Sequence, residues 1–165
     1  MDAASMKALQ SPLKERYREQ PETAVITLRA DGVLGEGVTC SVQTGRALVE
    51  AGLHPATGGD GSHACSGDML LQALVACAGV TMRSVATSLG LDVDGVVRAE
   101  GDLDFRGTLG VAKDAPVGFR EIRLRFELDT DATDDELATL LRLTERYCVV
   151  YQTLASTPAL SVARV

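Results

Sequence analysis

The first hydrophobic pattern in the chain is a thin stripe near the N-terminus. Leu9, Leu13 and Tyr17 recur every four residues in an otherwise polar segment. This spacing is typical of a short amphipathic helix that docks one face on another surface. Pro21 ends the pattern, so residues 1–22 are predicted to form a helical extension outside the main domain.

From residue 23 the pattern changes to short runs that are rich in β-branched residues. Residues 24–28 read Ala-Val-Ile-Thr-Leu and end at a turn signal in 30–32. Residues 38–42 and 47–49 predict two further strands. The segment 52–67 is rich in Gly, His, Pro and Ser, and it is predicted to be a loop.

The third pattern is a long apolar stretch that predicts a buried helix over residues 69–89. Nearly every side chain in 69–80 is apolar, and the whole stretch is longer than buried strands usually are. Asp68 is favourable at the start of the helix, and Gly90 supplies the stop. A helix that is apolar all round must be covered on all sides, which favours a second subunit as part of the cover.

The second half of the chain alternates strand and helix patterns. Residues 96–105 and the alternating 122–128 predict two strands, the latter with one wet face. A capping box at 133–136 opens a second helix. Segment 147–155 is predicted to continue as a bent or separate helix, and 159–165 as a final strand. The apolar face of the second helix consists of Leu137, Leu140, Leu141, Thr144 and Cys148.

The order of these elements predicts an α+β fold with antiparallel strands, in a single domain over residues 23–165. The 165 residues carry a formal net charge of −7, which argues against nucleic-acid binding. The longest uninterrupted apolar stretch, around 75–80, is far shorter than the ~20 residues of a membrane span. Without a recognisable secretory signal, we expect a soluble cytoplasmic protein with no nucleic-acid or membrane partner.

The chain has four cysteines, Cys40, Cys65, Cys77 and Cys148. In a reducing compartment, cysteines are better evidence for chemistry than for a disulfide framework. Cys77 lies inside the apolar helix among small residues, where a core cysteine and a reactive one are both possible. It is about two turns inside, so the helix N-terminus is not expected to lower its pKa. Arg83 in the same helix points to a different side.

Cys148 ends the apolar face of the second helix, and the same two interpretations apply to it. Sequence spacing does not show whether Cys77 and Cys148 meet. Cys40 falls within a predicted strand and is interpreted as a core residue.

The loop before the apolar helix contains His54, His63 and Cys65. Zinc sites need three or four ligands with suitable spacing, so we interpret this segment as a plain glycine-rich loop and expect no metal. Cys65 precedes Cys77 by twelve residues. It would serve as an alternative resolving thiol only if the loop folds back toward the helix.

Two short motifs, one around Cys77 and one around Cys148, give information about function that the hydrophobic periodicity does not give. Residues 74–83 read Leu-Val-Ala-Cys-Ala-Gly-Val-Thr-Met-Arg, and residues 146–155 read Arg-Tyr-Cys-Val-Val-Tyr-Gln-Thr-Leu-Ala. They resemble the two cysteine motifs of the osmotically induced protein C and organic hydroperoxide resistance (OsmC/Ohr) family. The resemblance covers residues 23–165, and the separation of the cysteines by 71 positions also suits that family.

The resemblance implies an intertwined homodimer in which antiparallel sheets from both chains wrap long central helices. It also implies a thiol peroxidase that reduces organic hydroperoxides at the dimer interface. Cys77 would then be the peroxidatic thiolate and Cys148 the resolving thiol. An external dithiol would reset the pair, and no bound cofactor is expected.

The chain departs from the family pattern at several positions. Family members usually carry a Pro and one or two Glu at the start of the central helix, where Asp68 is the best match here; on an ideal helix it faces away from the thiol. A Pro commonly follows the second cysteine, where this chain has Val149. Arg29 is the nearest match to the arginine that holds the thiolate, and Arg46 is the second choice.

Two further functions remain as alternatives. One is a catalytically silent family member that binds a small apolar ligand at the dimer interface, which the missing Pro-Glu signature favours. The other is a thiol redox sensor, whose cysteines are oxidised without turnover.

Overall fold

The structure of the chain is a computed structural model that describes residues 2–5, 7–8, 10–11, 19–20, 32–34, 39–44, 47–110 and 112–164. The strand predicted at 24–28 and the candidates Arg29 and Arg46 lie outside these residues. The chain forms two compact units, Met1–Ser66 and Gly67–Val165. The extension predicted at residues 1–22 stays a prediction, because its apolar stripe is outside the described part.

Among the described residues of the first unit, three strands form an antiparallel sheet. They are β1 (Gly32–Leu34), β2 (Thr39–Thr44) and β3 (Ala47–Gly52), in that order across the sheet. β2 and β3 confirm the two strands predicted in this region, and β3 extends further than predicted. β1 is not predicted by the pattern, because its first residue belongs to the turn signal that precedes it.

The loop after β3 is held against that strand. The N–H of Ala64 donates to the carbonyl of Glu50 at 3.0 Å, and the N–H of Gly52 donates to the carbonyl of Ala64 at 3.1 Å. The ring of His63 lies 3.6 Å from the carboxylate of Glu50. Between these contacts, the predicted loop contains one short 3-10 turn, Pro55–Thr57.

The second unit is built on a long helix and an antiparallel pair of strands. Helix α1 (Ser66–Leu89) starts three residues before its predicted start. It ends at Gly90, whose φ of 73° favours glycine. β4 (Asp94–Leu103) and β5 (Phe119–Asp129) pair along nearly their whole length. Their alternating apolar side chains pack beneath α1, as the period-2 pattern predicts.

The other face of β4 and β5 is charged and exposed. Arg98 donates two hydrogen bonds to Glu127, both at 3.0 Å. Arg123 reaches Asp102 at 2.9 Å and Glu100 at 3.5 Å. Exposed pairs of this kind contribute little to stability, so the packing of the apolar face holds the unit together.

Shorter helices complete the second unit. Helix α2 (Phe105–Thr108) is a single turn within the loop after β4. Helix α3 (Asp134–Tyr147) confirms the predicted capping box. In that box the N–H of Thr133 donates to the Glu136 carboxylate at 2.8 Å, and the N–H of Glu136 donates to the Thr133 hydroxyl at 3.4 Å. Helix α4 (Val149–Ala155) confirms the separate helix predicted there.

The final strand predicted at 159–165 is wrong for the residues that the structure describes. Residues 157–164 have no regular secondary structure, and Leu160 is 82% exposed. An extended segment becomes a strand only where a neighbouring strand offers its backbone groups. None of the described strands pairs with this segment.

The buried hydrophobic side chains of the second unit, as far as it is described, form two clusters on the buried face of α1. The first consists of Met82, Ala86, Val93 and Leu140. The second consists of Leu74, Ala78 and Cys148. Burial of one leucine side chain contributes about 1.5–3 kcal/mol, so these clusters fix the helix on the sheet and on the residues around α3 and α4.

Within the second unit, apolar side chains on more than one side of α1 are exposed. Val80 is 73% exposed, and Leu70 and Leu89 are 37% and 42% exposed. By length and composition α1 could also cross a membrane, with a mean hydropathy of 1.5 over 18 residues. The core helix of a soluble protein meets the same criterion. The second unit by itself therefore leaves part of the apolar surface of α1 without cover.

Candidate functional site

Helix α1 carries the first candidate thiol, Cys77, at the edge of the core. Its neighbours Leu74 and Ala78 are buried, at 1% and 0% exposure. Cys77 is itself half-buried and packs against the cluster that these two residues form with Cys148. Its sulfur therefore has a fixed position on a rigid helix and keeps some access from outside.

The second candidate thiol, Cys148, occupies the break between α3 and α4. Its φ and ψ of −73° and 108° are extended, so it caps the end of α3 and the start of α4. Its N–H donates to the carbonyl of Thr144, and its carbonyl accepts from the N–H of Gln152, both at 2.9 Å. The prediction that Cys148 lies on a helix face is therefore corrected: it sits at a kink, and only 1% of it is exposed.

The two thiols are adjacent, although 71 positions separate them in the sequence. The thiol of Cys148 is near enough to the sulfur of Cys77 to lower its pKa. Both side chains pack in the same apolar cluster, and both cysteines are free. The fold thus brings together the two cysteines whose meeting could not be judged from sequence spacing.

Uncharged hydrogen-bond donors surround Cys77. Burial raises the pKa of its thiol, and the donors act against burial. In decreasing order of effect, these donors are the N–H of Val150, the thiol of Cys148, the N–H of Val149 and the hydroxyl of Thr81. Together they outweigh burial, so the pKa of Cys77 lies below the ordinary value of a cysteine. Donors aimed at the sulfur favour its charged form, and the site therefore favours a thiolate at Cys77.

The surroundings of Cys148 raise the pKa of its thiol, whereas those of Cys77 lower it. Burial is the largest cause of a pKa raised above the ordinary value. The N–H of Tyr151 lies near the sulfur without the geometry of a capping hydrogen bond, and it offsets part of this effect. The neighbouring Cys77 raises the pKa of Cys148 further, through its hydrogen bond and its charge. Cys148 is therefore held as a neutral thiol.

The helix terminus that acts on Cys77 is not the N-terminus of its own helix. The N–H groups of Val149 and Val150, which lower the pKa of Cys77, belong to the first turn of α4. The first N–H groups of a helix have no partner inside that helix, so they are free to donate to the sulfur. The sequence predicts a break near this point but not which side chain the break faces.

Thr81 is a residue that the sequence reasoning did not single out. It lies four positions after Cys77 in α1, and side chains at this spacing are neighbours on a helix surface. The spacing was thus a signal in the sequence, although it does not by itself distinguish Thr81 from any other residue one turn away.

The remaining predicted site residues do not contact the thiol pair in the described part of the chain. Asp68 lies in the first turn of α1 and lines a groove of about 400 Å³. It precedes Cys77 by nine positions, which places it on the opposite side of the helix. Arg29 and Arg46 lie outside the described residues. Arg83 donates to a backbone carbonyl beyond α1 at 2.6 Å.

The loop candidates belong to the first unit. Cys65 is a free, half-buried thiol, His63 lies 3.6 Å from a carboxylate of β3, and the ring of His54 accepts a backbone N–H at 3.0 Å. Within the described residues, no group of three or more His, Cys, Asp or Glu side chains is placed to hold a metal ion. Cys40 lies in β2, where its core position stays a prediction.

An apolar cavity of about 520 Å³ opens beside the thiol cluster. Its apolar walls include Leu70, Leu74, Ile122, Tyr151 and Leu154. Leu74 and Tyr151 also pack in the cluster that contains Cys148, so the cavity and the thiol pair share a wall. A volume of this size suits a small organic molecule.

An α+β unit that places a thiolate-favouring cysteine beside a buried neutral one belongs to the class of candidate two-thiol redox proteins. The family model for OsmC-like proteins matches residues 59–163, which include both thiols. The chain therefore belongs to the OsmC-like family, as the two cysteine motifs indicate. A comparison with curated proteins found no match.

Solved structures share this fold at low sequence identity. An OsmC-like protein from Mycoplasma pneumoniae is 17% identical, with a TM-score of 0.67 over 80% of this chain and 89% of that chain. An organic hydroperoxide resistance protein from Elizabethkingia anophelis is 15% identical, with a TM-score of 0.64 over 81% and 91%. An organic hydroperoxide resistance protein OsmC from Legionella pneumophila is 16% identical, with a TM-score of 0.56 over 79% and 90%. The predicted α+β, OsmC-like fold is thus confirmed.

Proposed function

We propose that the protein reduces organic hydroperoxides, with Cys77 as the peroxidatic cysteine and Cys148 as the resolving cysteine. The observation that carries the proposal is the contact between a half-buried thiol of lowered pKa and a buried thiol of raised pKa. Membership of the OsmC-like family supports it, as do structural neighbours named organic hydroperoxide resistance proteins.

In the first step, the Cys77 thiolate attacks the terminal oxygen of the hydroperoxide. The O–O bond breaks, an S–O bond forms, and the alkoxide leaves as the alcohol after it takes up a proton. The thiol of Cys148, which packs in the same apolar cluster as Cys77, is a nearby source of that proton. Cys77 is thereby oxidised to a sulfenic acid.

In the second step, Cys148 resolves the sulfenic acid. Its sulfur, now a thiolate, attacks the sulfur of Cys77, an S–S bond forms, and the hydroxyl group leaves as water after it takes a proton from solvent. In total, one hydroperoxide becomes one alcohol and one water, while two thiols become a disulfide. An external dithiol reduces this disulfide by thiol–disulfide exchange, so no bound cofactor is required.

The surroundings of the pair favour an apolar substrate. The cavity that shares Leu74 and Tyr151 with the thiol cluster has a volume of about 520 Å³ and largely apolar walls. We therefore expect alkyl or fatty-acid hydroperoxides to be better substrates than hydrogen peroxide.

The test adds one equivalent of cumene hydroperoxide to the reduced protein and counts the remaining thiols. We expect two thiols to be lost per chain, with a Cys77–Cys148 disulfide found by peptide mapping. Cys77→Ser should consume no hydroperoxide, whereas Cys148→Ser should lose one thiol and accumulate a sulfenic acid. Cys65→Ser is the matched control and should still lose two thiols. An equal loss of thiols in Cys77→Ser would contradict the proposal.

A catalytically silent ligand-binding protein is the second candidate, because the apolar cavity exists and the Pro-Glu signature is missing. In that case hydroperoxide consumes little thiol, and Cys77→Ser binds an apolar ligand as well as the unmodified protein does. A thiol sensor would instead be oxidised by hydroperoxide without sustained turnover in the presence of a dithiol.

Arg29 and Asp68 are proposed to support the thiolate from outside the thiol pair, as in the family pattern. If they do, Arg29→Ala should slow hydroperoxide consumption more than Asp68→Asn, because a guanidinium stabilises a thiolate directly. Unchanged rates in both variants would remove these two residues from the proposed site.

A second copy of the chain is proposed to cover the exposed side of α1, in an intertwined homodimer. Val80, which is 73% exposed, supports this, since exposed apolar surface marks an interface. Analytical ultracentrifugation should find a dimer, and a monomer at micromolar concentration would contradict it.

The cytoplasm is the compartment we propose, since free thiols persist in a reducing environment. The net charge of −7 supports a protein whose partners are small molecules and another copy of itself rather than nucleic acid or a membrane.

A further inference from the structure

We propose that the apolar cavity beside the thiol cluster binds an aliphatic carboxylate, with the chain between the apolar walls and the carboxylate on the guanidinium of Arg120. The cavity and Arg120 define the binding site by themselves. The use of this site by a carboxylate-bearing hydroperoxide rests on the proposed function. Binding can be measured with a carboxylate that carries no peroxide group.

A β-bulge in β5 brings Arg120 to the cavity. Adjacent residues of β4 pair with Glu121 and with Phe119, so Arg120 is left between them without a partner across the ladder. Such a bulge redirects side chains from the regular alternation of a strand. A Cβ added at Gly101 of β4 would lie 2.5 Å from the ring of Phe119, so this ring occupies the space of the missing side chain. Arg120 itself lines the cavity.

Arg120 is the basic residue among the described residues that line this cavity. Its side chain is exposed, which places the positive charge where the cavity opens to solvent. No carboxylate of the described residues forms an ion pair with it. The guanidinium therefore has N–H groups available for an anionic ligand.

The carboxylates around Arg120 have other arginines as their partners. Glu121, which also lines the cavity, lies 3.1 Å from Arg123. Asp102 accepts a hydrogen bond from Arg123 at 2.9 Å, and Asp104 accepts one from Arg106 at 2.9 Å. These hydrogen bonds are the main cause of the lowered pKa of each aspartate, and the charge of Arg120 adds a smaller effect.

The rest of the cavity suits an aliphatic chain. Its volume is about 520 Å³, which is in the range of sites for small organic molecules. Leu74 and Tyr151 line it and also pack with the thiols. A guanidinium binds a planar carboxylate through two parallel hydrogen bonds, whereas apolar walls give a charged group no partner. A ligand that is apolar along its chain and anionic at one end matches both parts.

The experiment is isothermal titration calorimetry of the reduced full chain at neutral pH, where aliphatic carboxylic acids are ionised. The probes are octanoate, 1-octanol and octyltrimethylammonium, which share one chain and differ in head-group charge. Octanoate should bind roughly fivefold to tenfold more tightly than 1-octanol, and octyltrimethylammonium should bind most weakly. Arg120→Gln should remove this preference and leave the affinity for 1-octanol unchanged.

Arg125→Gln is the matched control, because it removes one positive charge from the same strand. Arg125 pairs with Glu100 at 3.5 Å on the outer face of the sheet, away from the cavity, so the preference for octanoate should remain. Leu70→Gln replaces an apolar wall that is 37% exposed and should weaken octanoate and 1-octanol alike. Circular dichroism checks that each variant is folded.

Equal affinities for octanoate and 1-octanol in the unmodified protein would overturn the proposal. It would also be overturned if Arg125→Gln lost the preference as Arg120→Gln does, because net charge and not the site would then be the cause. A preference that depends on Arg120, in a protein that consumes no hydroperoxide, would refute the proposed function and leave the carboxylate site standing. Hydroperoxide consumption without any preference for octanoate would do the reverse.

Discussion

The surroundings of Cys77 and of Cys148 differ in almost every respect, although the side chains are identical. Cys77 is half-buried in the middle of α1 and faces hydrogen-bond donors from α4, from Cys148 and from its own helix. Cys148 lies at the break between α3 and α4, and 1% of it is exposed. One site favours the thiolate and the other favours the neutral thiol.

This comparison shows that position in the fold, and not residue type, divides the two roles. A reactive thiolate needs both access and donors, which Cys77 has. A resolving thiol needs protection until its neighbour is oxidised, and burial gives Cys148 that protection. Variants that change the surroundings of one cysteine and leave those of the other intact will test whether the two roles are assigned correctly.

The largest effect is expected from replacing Leu74, one of the side chains that bury Cys148. Leu74→Ala removes a fully buried side chain from the cluster of Cys148, and it should lower the free energy of unfolding by about 2–5 kcal/mol. It should also speed the alkylation of Cys148, because the cavity left behind admits the reagent. Urea denaturation and mass spectrometry of the labelled cysteines measure the two effects.

Leu140→Ala is the matched control for that variant. Leu140 is equally buried, but it belongs to the cluster that does not contain Cys148. A similar loss of stability is expected, with slow labelling of Cys148 as in the unmodified protein. If the alkylation of Cys148 were accelerated equally in both variants, the global stability of the protein, and not local packing against Leu74, would protect Cys148.

A smaller effect is expected when Cys148 itself is replaced. Cys148→Ala removes a donor from the Cys77 thiolate, so the pKa of Cys77 should rise. Alkylation follows the thiolate fraction, which increases with pH, and the midpoint should therefore move to higher pH by up to about one unit. Cys65→Ala should leave the midpoint where it is. A downward shift in Cys148→Ala would contradict the assigned direction of the hydrogen bond.

The smallest effect is expected from a single backbone donor. Val149 is the first residue of α4, a position that suits proline, and the extended Cys148 before it has the conformation that a residue preceding proline prefers. Val149→Pro thus removes one N–H from the Cys77 thiolate without breaking the helix. The alkylation midpoint should rise by less than in Cys148→Ala.

Val149→Ala keeps the backbone N–H and serves as the control for the proline variant. It changes the side chain, which is 71% exposed, and should leave the midpoint unaltered. If the alanine variant shifted the midpoint as much as the proline variant does, the N–H group would not be the cause.

Local features of the fold could be predicted from the sequence. The span of α1, the capping box of Thr133 and Glu136 and the alternation of β5 depend on neighbouring residues and are confirmed. The strand predicted at 159–165 is wrong for the described residues, because a strand depends on a partner elsewhere.

The site could be predicted only in part. The motifs single out Cys77 and Cys148, but their contact depends on how α1 packs against the junction of α3 and α4. The donors of Val149 and Val150 are backbone N–H groups, so the residue types at these two positions do not indicate that role. Arg29 lies outside the described residues, and its role stays a prediction.

The most direct test of the division between the two thiols is the pH dependence of alkylation of each cysteine in the unmodified, reduced protein. Peptide-resolved mass spectrometry gives one profile for Cys77 and one for Cys148 in the same sample. The pKa shifts predict a midpoint for Cys77 below that of an ordinary thiol and a midpoint for Cys148 above it. Coincident midpoints, or a lower midpoint for Cys148, would contradict the assignment of Cys77 as the reactive thiolate.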